Sequence, residues 1–175
     1  RDSGTFDYFT EAIVGRAKFS RNDFNKSEND NTLAKDIAHN KNGLGFLGFA
    51  YYLDNQTQIK AVAIDSGKGY GAVLPSVESV EDGSYQPLSR PAFIYVNEKK
   101  KKKPEVREFV TFYLKNAVLI AKEARLFPLP PRAYTTMLEH FNKKRVGTVF
   151  DGVSAVGLTI DDLIRREGRL EFEHH

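Results

Sequence analysis

The sequence predicts an α/β architecture, because amphipathic helical patterns alternate with short apolar runs along most of its length. Phe6, Phe9 and Ile13 recur at helical spacing near the beginning. The β-branched alternation at 59–64 and the continuous apolar run at 91–96 are typical of strands instead. Hydrophobic residues make up 41% of the chain and charged residues 28%, which is the composition of a globular protein.

Capping residues, prolines and glycines place the remaining elements. The first helix is predicted from about Thr5 to Val14, with Asp2, Ser3 and Thr5 as potential caps. A second helix is predicted to begin with Asp30 as its cap. The segment 44–50 is predicted to be a short buried strand. A short helix is predicted to begin with the pair Tyr51 and Tyr52, and another to include Val77 and Val80. Further helices are predicted from near Pro104, over 117–125, over 133–142 and over 160–167, the last of them capped by Thr159.

The sequence changes character near Gln86–Pro91. Residues 1–90 carry glycine-rich loops and short elements, whereas residues 91–175 carry longer helices. This predicts a boundary between two parts of the chain, crossed by one strand.

Composition excludes several classes of protein. The net charge is only +3, whereas a dedicated nucleic-acid binder usually carries a broad basic face. No nucleic-acid partner is therefore expected. The lysine run 99–103 has no interleaved aromatic residues, which favours a solvated loop over a nucleic-acid or membrane surface. Because the chain has no cysteine, disulfides and thiolate metal sites are excluded. It also lacks an apolar run of about 18 residues that would predict a transmembrane helix.

The segment Ser3-Gly4-Thr5 lies directly ahead of the first amphipathic helix. The first N–H groups of a helix have no partner within it, and the helix dipole adds partial positive charge there, so such a position can bind an anion. Gly4 would let an anion approach the backbone, and Ser3 and Thr5 add hydroxyl donors. An ordinary cap and turn would have the same spacing, so the pattern by itself leaves both interpretations open.

Arginine is the side chain that best matches a phosphate edge, because its guanidinium presents a planar fork of donors. Arg1 and Arg21 are the arginines near the Ser3-Gly4-Thr5 segment. Elsewhere the sequence offers no paired metal ligands and no nucleophile with an identifiable base. No catalytic residue, metal or cofactor is therefore predicted.

Several blocks of the sequence resemble one family in the same order. Asp-Ser-Gly-Thr-Phe-Asp-Tyr-Phe-Thr-Glu at 2–11 resembles the phosphate motif of the periplasmic phosphate-binding proteins of Pst-type ABC transporters. The segments 20–31, 43–52, 85–96 and 127–134 are similar to later blocks of that family. The similarity therefore extends along nearly the whole chain and is more specific than any single block.

The resemblance implies a two-lobed, type II periplasmic-binding-protein fold, of which this chain is the C-terminal part with the N-terminal half absent. Residues 1–90 would form part of the second lobe, including the phosphate-binding helix N-terminus. Residues 91–175 would form the crossover strand and the C-terminal part of the first lobe. The resemblance implies that Ser3, Gly4 and Thr5 make the family's Ser-Gly-Thr contacts. The family's arginine, which some members place four residues before the serine, is assigned to Arg1 or Arg21.

The resemblance also implies a function without catalysis. Such a protein binds inorganic phosphate between its lobes and delivers it to the membrane subunits of an ABC transporter, in the periplasm or at the cell surface. A missing N-terminal half or a second chain would be a further partner, since the family's N-terminal half supplies more donors and an aspartate that accepts the phosphate proton. A phosphatase, and a sensor or interaction protein without transport, are the alternatives.

Overall fold

The structure is a computed structural model that describes residues 3–124, 126–143, 145, 147–150 and 156–169. The chain divides into two compact units, 1–90 and 91–175. Within the described ranges, none of the helices combines the length and the apolar character needed to cross a membrane.

The first unit consists of short helices and one small hairpin. Its helices are α1 (Gly4–Val14), α2 (Asp30–Ala38), α3 (Phe49–Asn55) and α4 (Val77–Glu81), and its strands are β1 (Ile64–Asp65) and β2 (Ala72–Val73). The two strands pair in antiparallel register, with Ile64 opposite Val73 and Asp65 opposite Ala72.

The regular secondary structure described in the second unit is all helical. After a 3₁₀ turn at Glu98–Lys100 come α5 (Pro104–Lys115), α6 (Ala117–Glu123), α7 (Pro131–Asn142) and α8 (Ile160–Arg169). Helix α5 packs on α7. The small core of the second unit consists of buried side chains from the helices and from the segment before α8, namely Val110, Leu114, Ala117, Ala133, Val149 and Leu163.

Side-chain caps mark the first residues of α1 and α2. Ser3 caps α1, since its Oγ accepts a hydrogen bond from the N–H of Phe6 at 3.2 Å. Asn29, and not the predicted Asp30, caps α2 by accepting from the N–H of Asn31 at 3.0 Å. The prediction for α2 was therefore wrong by one residue, because Asn and Asp are nearly equal as caps and adjacent residues of these types cannot be ranked from sequence.

The predicted cap of α8 is confirmed by a reciprocal set of hydrogen bonds. The N–H of Asp162 donates to Thr159 Oγ1 at 3.1 Å, and Thr159 donates back to Asp162 Oδ2 from its hydroxyl at 2.8 Å and its N–H at 3.2 Å. The hydrogen bonds from Thr159, helped by the nearby charges of Arg165 and Arg166, lower the pKa of Asp162 below its ordinary value.

Three predicted strands are wrong. The segments 44–50 and 91–96 form no strand, and of 59–64 only Ile64 belongs to one. A strand exists only where a neighbouring strand accepts and donates its ladder hydrogen bonds, and within the described residues these segments have no such neighbour. Tyr95 is consequently 78% exposed and Leu44 85% exposed.

Candidate functional site

The first turn of α1 presents backbone donors to solvent. Ser3 has an extended backbone, with φ −100° and ψ 109°, and the helix begins at Gly4. Gly4 and Thr5 are exposed, and their N–H groups have no hydrogen-bond partner among the described residues. Ser3 accepts from Phe6, and its own hydroxyl proton can still be donated outwards. Three donors, one hydroxyl and two amides, are thus grouped at the positive end of a helix.

Stacked aromatic rings hold the buried face of α1. The rings of Phe9 and Phe46 stack with centroids 4.0 Å apart and planes at 10°. Phe6 packs against Phe24 and Phe46 at 6.1 and 6.4 Å. These rings supply the apolar burial that a short helix needs for stability, so they fix the helix whose first turn is exposed.

A second support comes from the end of the first unit. The Tyr8 hydroxyl donates to the carbonyl oxygen of Pro87 at 2.7 Å, with the Ser89 carbonyl as a longer acceptor at 3.1 Å. Ser89 donates to the Tyr85 carbonyl at 2.7 Å and accepts from Gln86 Nε2 at 2.9 Å. Gln86 is only 3% exposed. These hydrogen bonds hold the segment 85–90 together and attach it to α1.

This support brings Arg90 to the first turn of α1. The guanidinium carbon of Arg90 lies 5.1 Å from the centroid of the Tyr8 ring, in the geometry of a cation–π contact. A methyl group placed on Gly4 would lie 2.9 Å from Arg90 Nη2. The glycine of Ser3-Gly4-Thr5 therefore leaves room for the guanidinium. Sequence reasoning missed Arg90, although it stands inside the 85–96 block that resembles the family.

The arginines predicted from sequence are placed differently. Arg1 lies outside the described residues. Arg21 forms an ion pair with Asp23, in which its Nε donates to Asp23 Oδ1 at 2.7 Å. Its side chain is 84% exposed. The hydrogen bonds of the pair lower the pKa of Asp23 and raise that of Arg21. Two of the donors on Arg21 are therefore already engaged by a carboxylate.

The remaining polar groups form no metal-binding cluster in the described part of the chain. No group of three or more His, Asp or Glu side chains that could hold a metal ion occurs there. His39 ends α2, with Nδ1 at 2.8 Å from the Lys35 carbonyl oxygen. Asp7, in the first turn of α1, pairs with Lys18 at 3.5 Å.

Comparison with known proteins identifies the family. Residues 1–117 match the model of the PBP superfamily domain. The chain is 50% identical over 171 residues to Protein SphX of Synechocystis, covering 97% of this chain and 50% of that protein. It is 47% identical over 167 residues to Protein SphX of Synechococcus elongatus, covering 95% and 49%. It is 33% identical over 137 residues to the phosphate-binding protein PstS of Staphylococcus aureus, covering 78% and 40%.

A solved structure shows the same fold. It is that of a possible phosphate binding protein from Planctomyces limnophilus, with a TM-score of 0.69 and 38% identity, over 83% of this chain and 51% of the other. The chain thus spans about half the length of the proteins it matches. These matches confirm the expected partial binding-protein fold and the resemblance to the Pst-type proteins, and the chain belongs to the PBP superfamily.

Proposed function

We propose that this chain binds inorganic phosphate at the N-terminus of α1, through the Ser3 hydroxyl and the backbone N–H groups of Gly4 and Thr5. The observation that carries the proposal is the group of exposed donors at the positive end of this helix, two of them without a partner among the described residues. The names of relatives support it, since one is a phosphate-binding protein from Staphylococcus aureus.

Each donor contributes a hydrogen bond to a charged acceptor. Such bonds are worth about 1.5–3 kcal/mol each, so a few of them reach micromolar affinity after the costs of ordering are subtracted. The Thr5 hydroxyl adds a further donor. Arg1 and Arg21 remain predicted phosphate contacts, and Arg21 would need to share its donors between the anion and Asp23.

The role proposed for the whole protein is that of a receptor, and not of an enzyme. A full-length binding protein would close on phosphate in a cleft between its lobes and deliver it to the membrane subunits of an ABC transporter outside the cytoplasm. The chain spans about half the length of its matched relatives, so the other part of such a cleft would come from outside these residues. In this proposal residues 1–90 contribute the phosphate-binding helix of the second lobe.

Titration calorimetry on the full-length polypeptide that carries this sequence tests the proposal, with phosphate as ligand and sulfate as the control anion. The informative variant is Ser3→Asp, because aspartate caps a helix as well as serine does while its carboxylate repels phosphate. Ser76→Asp is the matched control, since Ser76 caps α4 by accepting from the N–H of Ser79 at 3.0 Å.

We expect saturable, phosphate-selective binding that Ser3→Asp weakens by at least about tenfold, the effect of losing one charge-assisted hydrogen bond. Ser76→Asp is expected to bind as the unmodified protein does. Equal phosphate affinity in both variants would contradict the assignment of the site to α1. Release of phosphate from a phosphomonoester would instead support the phosphatase alternative.

A further inference from the structure

We infer that the guanidinium of Arg90 is a phosphate-binding group of the site at the N-terminus of α1. The inference rests on the proposed function and adds the cation that the backbone and hydroxyl donors lack. Its basis is the position of Arg90 against the first turn of α1, together with the electrostatic consequence of that position.

One contact and one close approach locate the guanidinium. The guanidinium lies over the Tyr8 ring at 5.1 Å, and its Nη2 would be only 2.9 Å from a methyl group on Gly4. Arg90 is exposed, and it has no hydrogen bond or ion pair with any residue of the described part. Its fork of donors is therefore open to a ligand that approaches Gly4.

The placement is electrostatically unfavourable without an anion. A helix N-terminus carries partial positive charge of about half an elementary charge, which favours anions and disfavours cations. Arg90 nevertheless brings a full positive charge to this end of α1. The acid of this turn, Asp7, is paired with Lys18 at 3.5 Å. A phosphate dianion beside Gly4 would interact favourably with the guanidinium and the helix N-terminus together.

The segment around Arg90 is also held in place before any ligand binds. The preceding residue, Ser89, takes part in hydrogen bonds with Tyr85 and Gln86, and its carbonyl lies 3.1 Å from the Tyr8 hydroxyl. The ring beneath the guanidinium belongs to that same Tyr8. The hydrogen bonds fix the backbone that carries Arg90, so no rearrangement of this segment is needed when the guanidinium binds an anion.

Phosphate affinity of Arg90→Gln in the full-length polypeptide is the test. The substitution removes the charge and the fork but retains a polar side chain of intermediate length. Arg16→Gln is the matched control, because Arg16 is an exposed arginine just after α1 whose guanidinium lies 5.4 Å from the Phe19 ring centroid. Arg90→Lys keeps the charge without the planar fork.

We expect Arg90→Gln to weaken phosphate binding by about 10- to 100-fold, the range for losing hydrogen bonds to a charged group. Arg90→Lys should lie between Arg90→Gln and the unmodified protein, and Arg16→Gln should bind normally. Urea unfolding without phosphate shows that each variant is folded. Should Arg90→Gln not fold, an Arg90→Lys protein with undiminished affinity would overturn the inference, and one with weakened affinity would support it.

The remaining outcomes separate the inference from the proposed function. If Ser3→Asp abolishes binding while Arg90→Gln leaves the affinity unchanged, phosphate binds at α1 and the assignment of Arg90 is wrong. If the unmodified full-length protein does not bind phosphate, the proposed function fails, and the role of Arg90 fails with it.

Discussion

Arg90 and Tyr8 form a cation–π pair, with the guanidinium carbon 5.1 Å from the ring centroid. The Tyr8 hydroxyl in turn donates to the Pro87 carbonyl at 2.7 Å. One tyrosine therefore joins the last residues of the first unit to α1 through both its ring and its hydroxyl. The consequence is a guanidinium beside Gly4, at the helix end where we propose that phosphate binds.

The Gly4→Ala variant separates binding from stability. Alanine is the better helix former, but its methyl group would approach Arg90 Nη2 to 2.9 Å. Since the contact is with the end of a flexible side chain, Arg90 can move away, and we expect a nearly unchanged free energy of unfolding. Phosphate affinity should fall about tenfold, equivalent to about 1.4 kcal/mol.

Urea unfolding and phosphate titration of the same Gly4→Ala preparation measure the two quantities. Gly48→Ala is a suitable control, because Gly48 caps α3 and a methyl group there would make ordinary contacts at 3.4 Å or more. Unchanged phosphate affinity in Gly4→Ala would show that the space beside Gly4 is not needed for binding.

The Tyr8→Phe variant tests the anchor of α1. It removes the hydrogen bonds to Pro87 and Ser89 but keeps the ring under Arg90. We expect the free energy of unfolding to fall by about 1 kcal/mol, the net value of an intramolecular hydrogen bond. Tyr52→Phe is the control, since the Tyr52 hydroxyl makes no hydrogen bond within the described residues. Equal stability of both variants in chemical denaturation would argue against the anchor.

Asp162 predicts a loss of stability in acid. Hydrogen bonds from Thr159 lower its pKa in the folded state. A carboxyl group whose folded pKa is depressed stabilises the fold above its unfolded pKa of about 3.9, and this stabilisation disappears as the pH falls through the lower folded pKa. Asp162→Asn should therefore be less stable than the unmodified protein at neutral pH, and the difference should shrink below about pH 4.

Denaturation midpoints measured between neutral pH and strong acid check the Asp162 prediction. Asp36→Asn is the control, because Asp36 is exposed on α2 and makes no hydrogen bond or ion pair within the described residues. A stability difference for Asp162→Asn that does not depend on pH would contradict the role of the carboxylate charge.

Asp30 predicts the opposite dependence on pH. Partial burial raises the pKa of Asp30, and the nearby backbone N–H of Gly48 opposes this rise. A carboxyl group whose folded pKa is raised binds its proton more tightly in the folded state, so stability falls as the pH rises from the unfolded pKa through the folded one. Asp30→Asn should lack this decrease, and the stability of the two proteins should be compared across that pH range. A parallel pH profile would contradict the prediction.

Local chemistry made most of the helices predictable. The apolar spacing of Phe6, Phe9 and Ile13 and the position of Gly15 define α1, which runs from Gly4 to Val14. Pro104 marks the first residue of α5, and Thr159 caps α8. Each of these patterns involves residues only a few positions apart, so it can be recognised from the sequence.

Strands and the site's cation depend on residues distant in sequence. The apolar run 91–96 has the composition of a strand, but it has no pairing partner within the described part and leaves Ile94 44% exposed. Arg90 is near neither Ser3 nor Gly4 in the sequence, and the hydroxyl and ring of Tyr8 bring it to α1. Proximity along the chain therefore indicated Arg1 and Arg21 as the candidate cations and missed Arg90.

The central claim is that phosphate binds at the N-terminus of α1. The most direct test is an NMR chemical-shift titration with inorganic phosphate that follows the backbone N–H and arginine Nε–H signals, with sodium chloride at equal ionic strength as the control. The account predicts saturable shifts of the Gly4 and Thr5 N–H signals and of the Arg90 Nε–H signal, which chloride does not reproduce. Because the other part of the proposed cleft would come from outside this chain, the titration is made on the full-length polypeptide that carries it. Saturable shifts confined to other residues, or none at all, would contradict the phosphate site at α1.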